Sequence, residues 1–198
     1  MVFFTGSELI RFAKPDDAGE MLEIYAPYVR KTVISFEYEP PSLEEFRARM
    51  RDYMARYPWL VCERDGELLG YAYGSPYHAR AAYGWAVDSS VYIREDRRGN
   101  GLGPRLYTAL LECLSAQNFY VDCALISASN EASIRFHEKL GFREVGRCRN
   151  VGYKFGAWQD VVTLEKTLRE PEVPPRPVLP IERLGFDGLH PYIIEENP

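Results

Sequence analysis

The sequence predicts an α/β (α+β) domain, with a mixed central sheet of about seven strands and helices packed on its faces. Three observations predict it. Strand-like and helix-like stretches alternate in the order βααβββαβαββ along residues 9–168. A glycine-rich loop, Arg98-Gly99-Asn100-Gly101-Leu102-Gly103, stands between a β-branched strand and an apolar helix. The chain has 198 residues, 46% hydrophobic and 27% charged, which is enough for one ordinary domain with its own core.

The elements follow in order. Leu9–Phe12 reads as a first strand, and Lys14-Pro15-Asp16-Asp17 places an acidic cap before a helix towards Val29, with Pro27 obscuring its end. Residues 32–39 form an aromatic-rich loop. Ser42-Leu43-Glu44-Glu45 is a capping box opening a helix to about Tyr57, with Phe46, Met50 and Met54 on one face. Residues 59–64 and 68–75 form a hairpin around Asp65-Gly66. Residues 85–93 are a further strand, 102–117 a helix, 120–126 a buried-looking strand and 130–140 a helix stopped by Gly141. Residues 142–148 and 161–168 form a last antiparallel pair. The domain is expected to span residues 1–169. Half of the chain's 14 prolines fall in residues 170–198, so this stretch reads as a proline-rich extension. Leu184, Phe186, Leu189, Tyr192, Ile193 and Ile194 make it apolar enough to dock on the domain or on a neighbouring subunit.

Composition excludes some functions. A net charge of −5 is wrong for a nucleic-acid binder, which needs a basic face. No apolar run approaches the ~20 residues that cross a bilayer, and the first residues lack a signal-peptide pattern, so no membrane partner and a cytoplasmic location are expected. Cys62, Cys113, Cys123 and Cys148 are scattered, with no C-x-x-C and no Cys/His zinc spacing. They read as buried free thiols, and no metal is expected.

The glycine loop carries the chemistry. Glycines let a backbone approach an anion and adopt positive φ, and the free N–H groups of a following helix point at phosphate oxygens. Arg97 and Arg98 add charge beside it. A Walker loop would continue Lys-Ser or Lys-Thr, where this chain has Pro104-Arg105. A dinucleotide fingerprint needs an acidic residue after the next strand, where this chain has Ile126-Ser127-Ala128-Ser129. From the glycines alone, a plain structural turn stays open.

The pattern R-x-x-G-x-G from Arg98 to Gly103, followed by a helix, resembles the coenzyme-A loop of the GNAT superfamily of N-acetyltransferases. The segment Asn130–Phe142, an Asn-led helix ending in Gly141-Phe142, is similar to that superfamily's second motif. Residues 57–61, 70–73, 80–83, 90–92 and 151–160 are similar to the phosphinothricin and methionine sulfone N-acetyltransferase subfamily. The resemblance covers about residues 10–168 and leaves the C-terminal extension unexplained.

That resemblance implies a GNAT fold whose fourth and fifth strands splay to form the acetyl-CoA cleft. It implies acetyl-CoA as cosubstrate, a small amino-acid-like amine as acceptor, direct attack in a ternary complex, and a homodimer; a peptide N-terminus, polyamine or aminoglycoside as acceptor, or a non-catalytic acetyl-CoA-binding regulator, stays open as the alternative. It places the cofactor on Val91, Tyr92 and Ile93 of the splayed strand and on Arg98, Gly99, Asn100, Gly101, Leu102, Gly103 and Pro104. Asn130 would hold the pantetheine region, although it reads equally as a helix N-cap. Asp88 takes the position of the family's catalytic glutamate, four residues before Tyr92. It is shorter by about 1.5 Å, and its ordinary pKa of ~3.9 is low for a base, so a water relay or an orienting role is expected. His137 is the candidate acid for the leaving thiolate. Phe36, Glu37, Arg80, Tyr83 and Lys154 are the candidate acceptor contacts, with Trp85 as a further apolar wall; Arg80 and Lys154 would meet the acceptor's anionic groups.

Overall fold

The computed structural model describes residues 3–5 and 8–184. In chain order these form β1 (Phe3–Thr5), β2 (Glu8–Phe12), α1 (Ala18–Lys31), α2 (Leu43–Met54), β3 (Trp59–Arg64), β4 (Glu67–Pro76), β5 (Ala86–Ile93), α3 (Leu102–Ala116), β6 (Val121–Ser127), α4 (Glu131–Lys139), β7 (Arg143–Lys154) and β8 (Ala157–Thr167). One sheet takes all eight strands in the order β1-β2-β3-β4-β5-β6-β8-β7. The eighth strand beyond the expected seven is β1, whose three residues are too short to show alternation in sequence but pair antiparallel with β2.

Local rules explain the helices. The Ser42 hydroxyl accepts from Glu45 N–H at 3.2 Å, and the Glu45 carboxylate accepts from Ser42 N–H at 2.7 Å, the predicted reciprocal cap. Pro27 does not end α1: it forfeits the one bond to the Glu23 carbonyl, and the helix runs on to close at Thr32 N–H on the Tyr28 carbonyl. The α3 face Leu106, Tyr107, Leu110 and Leu114 recurs at helical spacing and is fully buried.

Each face of the sheet has its own core. Leu60, Leu69, Ala72, Val87 and Ile126 pack with α3 on one side. On the other, Trp59, Tyr71 and Tyr92 pack with Met21, Tyr25 and Tyr28 of α1 and with Phe46 and Met50 of α2. Tyr92 makes edge contacts to Tyr25 and Tyr28 at 5.0 Å, each worth about 0.5–1.5 kcal/mol beyond burial. Cys62, Cys113 and Cys123 are buried, whereas Cys148 is exposed on edge strand β7, against the expectation of four buried thiols.

One irregularity positions the site. β5 and β6 pair in parallel only at Ala86↔Val121, Val87↔Asp122 and Asp88↔Cys123. Beyond Asp88 the strands part. β5 keeps β4 on its other side to Ile93, and β6 keeps β8 through Ser127.

Past β8, the C-terminal segment lies along the end of α3. Gln117 exchanges two hydrogen bonds with Leu179, Asn118 donates to the Pro177 carbonyl, and the Tyr120 hydroxyl accepts from Arg176 N–H. Val178 and Leu184 join the α3-side core. Phe186, Leu189, Tyr192, Ile193 and Ile194 lie outside the described residues. Among the described residues no helix is long and apolar enough to cross a membrane, and no group of three or more His, Cys, Asp or Glu is placed to hold a metal.

Candidate active site

The loop after β5 is built for an anion. Gly99 and Gly101 have φ of 85° and 72°, a region open to glycine at little strain, and no atom lies within 4 Å of where a Cβ would stand at either. Gly101 caps α3 without a side chain, and Leu102, Gly103 and Pro104 form its first turn. The first-turn N–H groups have no partner within the helix, and Pro104 sits where a missing N–H loses nothing. Arg98 lays its guanidinium over the Tyr28 ring at 4.7 Å, which fixes a cation at the loop's start. A backbone cradle, a helix N-terminus and an arginine fit a pyrophosphate.

The parted strands supply the second half. Ile93 N–H donates to the Tyr28 hydroxyl at 3.0 Å, and that hydroxyl donates to the Ile93 carbonyl at 2.5 Å. Ile93 thus turns its backbone away from β4, and alternation turns Val91 and Ser89 the same way, into the gap. Tyr92 alternates towards β4, and its ring lies in the α1-side core. The three cofactor candidates therefore separate: Val91 presents backbone to the gap, Tyr92 is structural, and Ile93 is already capped by Tyr28. Asn130 borders the gap and caps α4, its Oδ1 accepting from Ser133 N–H at 3.3 Å.

Asp88 lies on the opposite face of β5 from Val87, whose side chain is in the α3-side core. Its carboxyl has no hydrogen-bond partner among the described residues, and burial pushes its pKa up from 3.8 to about 7. This removes the objection that an aspartate is too weak a base, since a base poised near neutrality suits proton abstraction at physiological pH. Ser90, on the same face, is bonded to the Tyr73 hydroxyl.

The acceptor candidates fall into two groups. Phe36 and Glu37 lie in the loop between α1 and α2. Glu37 is held by Arg49 at 2.6 Å and by the Tyr25 hydroxyl at 3.0 Å. Lys154 is 2% exposed, and its Nζ donates to the Val29 and Ser35 carbonyls at 2.7 and 2.6 Å. Burial lowers its pKa, and its hydrogen bonds go to α1 and to the loop carrying Phe36, which corrects the expectation of an ammonium facing an anionic acceptor. Phe36 lies flat on β7 at Gly152, where a Cβ would come within 2.3 Å of its ring. Arg80 and Tyr83, in contrast, are exposed in the β4–β5 connection. They line a hollow of about 550 Å³ with Arg56, His78 and Val178, separate from Phe36 and Glu37. Trp85 lines the same hollow and ties it to the C-terminal segment, donating to the Arg176 carbonyl at 2.7 Å.

His137 is 4% exposed and neutral, its pKa lowered by burial. Nδ1 lies 2.8 Å from the Ser133 carbonyl, which accepts only, so Nδ1 carries the proton. Nε2 lies 3.1 Å from the Tyr107 hydroxyl. The sequence reading missed what lies beyond it: Tyr107, Ser89 and Asp122 continue this hydrogen-bonded chain. Asp122 left one signal, an acid in the middle of a strand that otherwise reads as buried.

With this geometry in place, the comparisons are specific. A family model described as acetyltransferase (GNAT) domain matches residues 10–163. Phosphinothricin N-acetyltransferase of Streptomyces viridochromogenes is 38% identical over 175 residues, covering 88% of this chain and 95% of that protein. L-methionine sulfoximine/L-methionine sulfone acetyltransferase of Pseudomonas aeruginosa is 38% identical over 165 residues, covering 82% of this chain and 95% of that one. Among solved structures, a phosphinothricin acetyltransferase from Sinorhizobium meliloti in complex with acetyl-CoA superposes with a TM-score of 0.81 at 30% identity, covering 89% of this chain and 99% of that one. A mixed sheet with parted parallel strands and a glycine loop at a helix start is the architecture of a coenzyme-A-dependent acyltransferase. The chain belongs to the GNAT acetyltransferase family, and acetyl-CoA is its cosubstrate.

Proposed function

We propose that this protein acetylates the α-amine of a small amino-acid analogue of the phosphinothricin or methionine sulfone type, by direct attack of the amine on acetyl-CoA. The observation that carries the reading is Asp88: a half-buried carboxyl with no hydrogen-bond partner among the described residues and a pKa of about 7, on the face of β5 turned away from the α3-side core. Asp88 takes the ammonium proton. Arg98, Gly99, Asn100, Gly101, Leu102, Gly103 and Pro104 hold the pyrophosphate, and Val91 with Asn130 aligns the pantetheine arm. The cosubstrate brings an acetyl group activated as a thioester. Phe36 and Glu37 border the acceptor, with Lys154 behind them as the residue that fixes their loop. Relatives at 38% identity that act on phosphinothricin and on methionine sulfoximine or sulfone support this acceptor class.

The test is a panel of amines under saturating acetyl-CoA: phosphinothricin, methionine sulfone, spermidine, an aminoglycoside and a peptide N-terminus. The reading expects kcat/KM for the two amino-acid analogues to exceed the others by at least tenfold. A polyamine or peptide at the head of the ranking would refute it. Gly152→Ala is a finer check. Its Cβ must displace the Phe36 ring, so acceptor KM should rise roughly threefold or more while acetyl-CoA KM holds. Unchanged kinetics would remove Phe36 from the acceptor site.

We further propose a cytoplasmic homodimer. β7 ends the sheet, and Val145, Val151, Tyr153, Phe155 and Trp158 of the β7–β8 hairpin are exposed with Leu125 beside them, an apolar edge that a second copy would cover. Trp158→Glu should halve the mass seen by light scattering after size exclusion. A wild-type monomer would contradict the dimer.

A further inference from the structure

A chain of four side chains runs through the cofactor face. Asp122 Oδ2 lies 2.6 Å from Ser89 Oγ, which lies 2.5 Å from Tyr107 Oη. Tyr107 Oη reaches His137 Nε2 at 3.1 Å, and His137 Nδ1 ends the chain on the Ser133 carbonyl. Asp122 and Tyr107 are fully buried, whereas Ser89 and His137 border a cavity of about 60 Å³ between the parted strands, with Val91 and Asn130.

Counting protons fixes where they sit. Each hydroxyl has one, and the Ser133 carbonyl takes that of Nδ1. With Asp122 protonated, every bond points one way: Asp122 to Ser89, Ser89 to Tyr107, Tyr107 to His137, His137 to Ser133. With Asp122 ionised beside a neutral imidazole, Ser89 turns to Asp122 and Tyr107 turns to Ser89. Nε2 then faces an oxygen with no proton between them, a buried acceptor left unsatisfied. Among the described residues Asp122 Oδ1 is also buried without a hydrogen bond, which a neutral acid bears far better than a carboxylate. The surroundings agree. Burial holds the Asp122 carboxyl well above the usual carboxylate range, and Asp88 on β5 pushes the same way. The Ser89 hydroxyl, the Cys123 N–H and Lys166 of β8 oppose this without reversing it; the Lys166 ammonium is bonded to the Leu140 carbonyl.

We propose that Asp122 is the proton donor to the departing thiolate, acting through Ser89. The inference rests on the acetyl-transfer reading. The Ser89 hydroxyl swings from Tyr107 to the sulfur; its Oγ–H bond breaks as the S–H bond of coenzyme A forms, and the Asp122 Oδ2–H bond breaks as Oγ–H re-forms. The negative charge passes from sulfur to the Asp122 carboxylate, and no electrons are exchanged. Once coenzyme A leaves, Asp122 regains its proton from solvent through Ser89, which borders the cavity, while neutral His137 holds Tyr107 in place. The register Val87↔Asp122 and Asp88↔Cys123 then sets two carboxyls at neighbouring rungs of the β5–β6 ladder: Asp88 takes a proton from the amine, and Asp122 gives one to the thiol. Neutral His137, with both nitrogens engaged, becomes a positioning residue.

Two measurements test this. Carbon NMR of protein labelled at the aspartate γ-carbons, with Asp122→Asn identifying the signal, should show Asp122 protonated at pH 7. In steady-state assays with methionine sulfone, Asp122→Asn and Ser89→Ala should each lower kcat about a hundredfold, within the range of general acid catalysis, with acetyl-CoA KM changed less than about threefold. The double variant should be no slower than the slower single, because both break one path. If Asp122→Asn folds poorly, Ser89→Ala and the wild-type signal still decide. An ionised Asp122 at pH 7 in active wild-type protein, wild-type kcat in either variant, or multiplying losses would overturn the proposal alone. An inactive wild type would sink the acetyl-transfer reading as well.

Discussion

Asp88→Asn should lower kcat by about a thousandfold, within the 10²–10⁴ that a positioned base contributes, while acetyl-CoA binds as before. In the wild type, kcat/KM should climb with pH through about 7, where burial places the carboxyl, as the ionised form takes over. The variant should lose that limb. The same substitution should raise stability. The folded carboxyl titrates at about 7, above its ordinary 3.8, so between those values the folded state binds more protons than the unfolded one. Stability therefore falls as pH rises through that window, and an uncharged asparagine removes the fall. At about 1.4 kcal/mol per pKa unit, Asp88→Asn should be roughly 2–4 kcal/mol more stable at pH 8, with little difference at pH 3. Denaturant melts at both pH values check this; equal stability at pH 8 would mean that the carboxyl is not held out of water.

Gly101→Glu should weaken acetyl-CoA binding by at least about a hundredfold in calorimetry, without unfolding the domain. Two effects act together. A non-glycine residue at φ 72° strains the backbone by about 1 kcal/mol, and a carboxylate at the start of α3 faces the pyrophosphate with like charge. Space is not the cause, since no atom lies within 4 Å of the added Cβ. Gly101→Ala should therefore show the strain alone and bind only several-fold more weakly. Equal affinity for Gly101→Glu would move the pyrophosphate elsewhere.

Much of this site was legible because it is local. The glycine loop, the Ser42 capping box and the Asn130 cap are contiguous, and their spacing dictates their geometry. What sequence could not carry is register and burial. Nothing in the order of residues sets Asp122 beside Ser89, 33 positions away, or brings Tyr107 of α3 onto both Ser89 and His137. Lys154 read as a cation for the acceptor's anionic groups because its carbonyl partners lie 119 and 125 residues earlier. Ile93 read as a cofactor contact because its cap, Tyr28, stands on a helix 65 residues earlier. Asp88 read as a weak base because its environment, and not its type, sets its acidity.

Rapid-quench mixing of the protein with radiolabelled acetyl-CoA and methionine sulfone tests the central claim most directly. Label should appear on the α-amine at the rate that coenzyme A is released, with none on the protein at any time. Acetylated protein forming first, or bound acetyl-CoA with no transfer to any amine offered, would contradict direct transfer in this cleft.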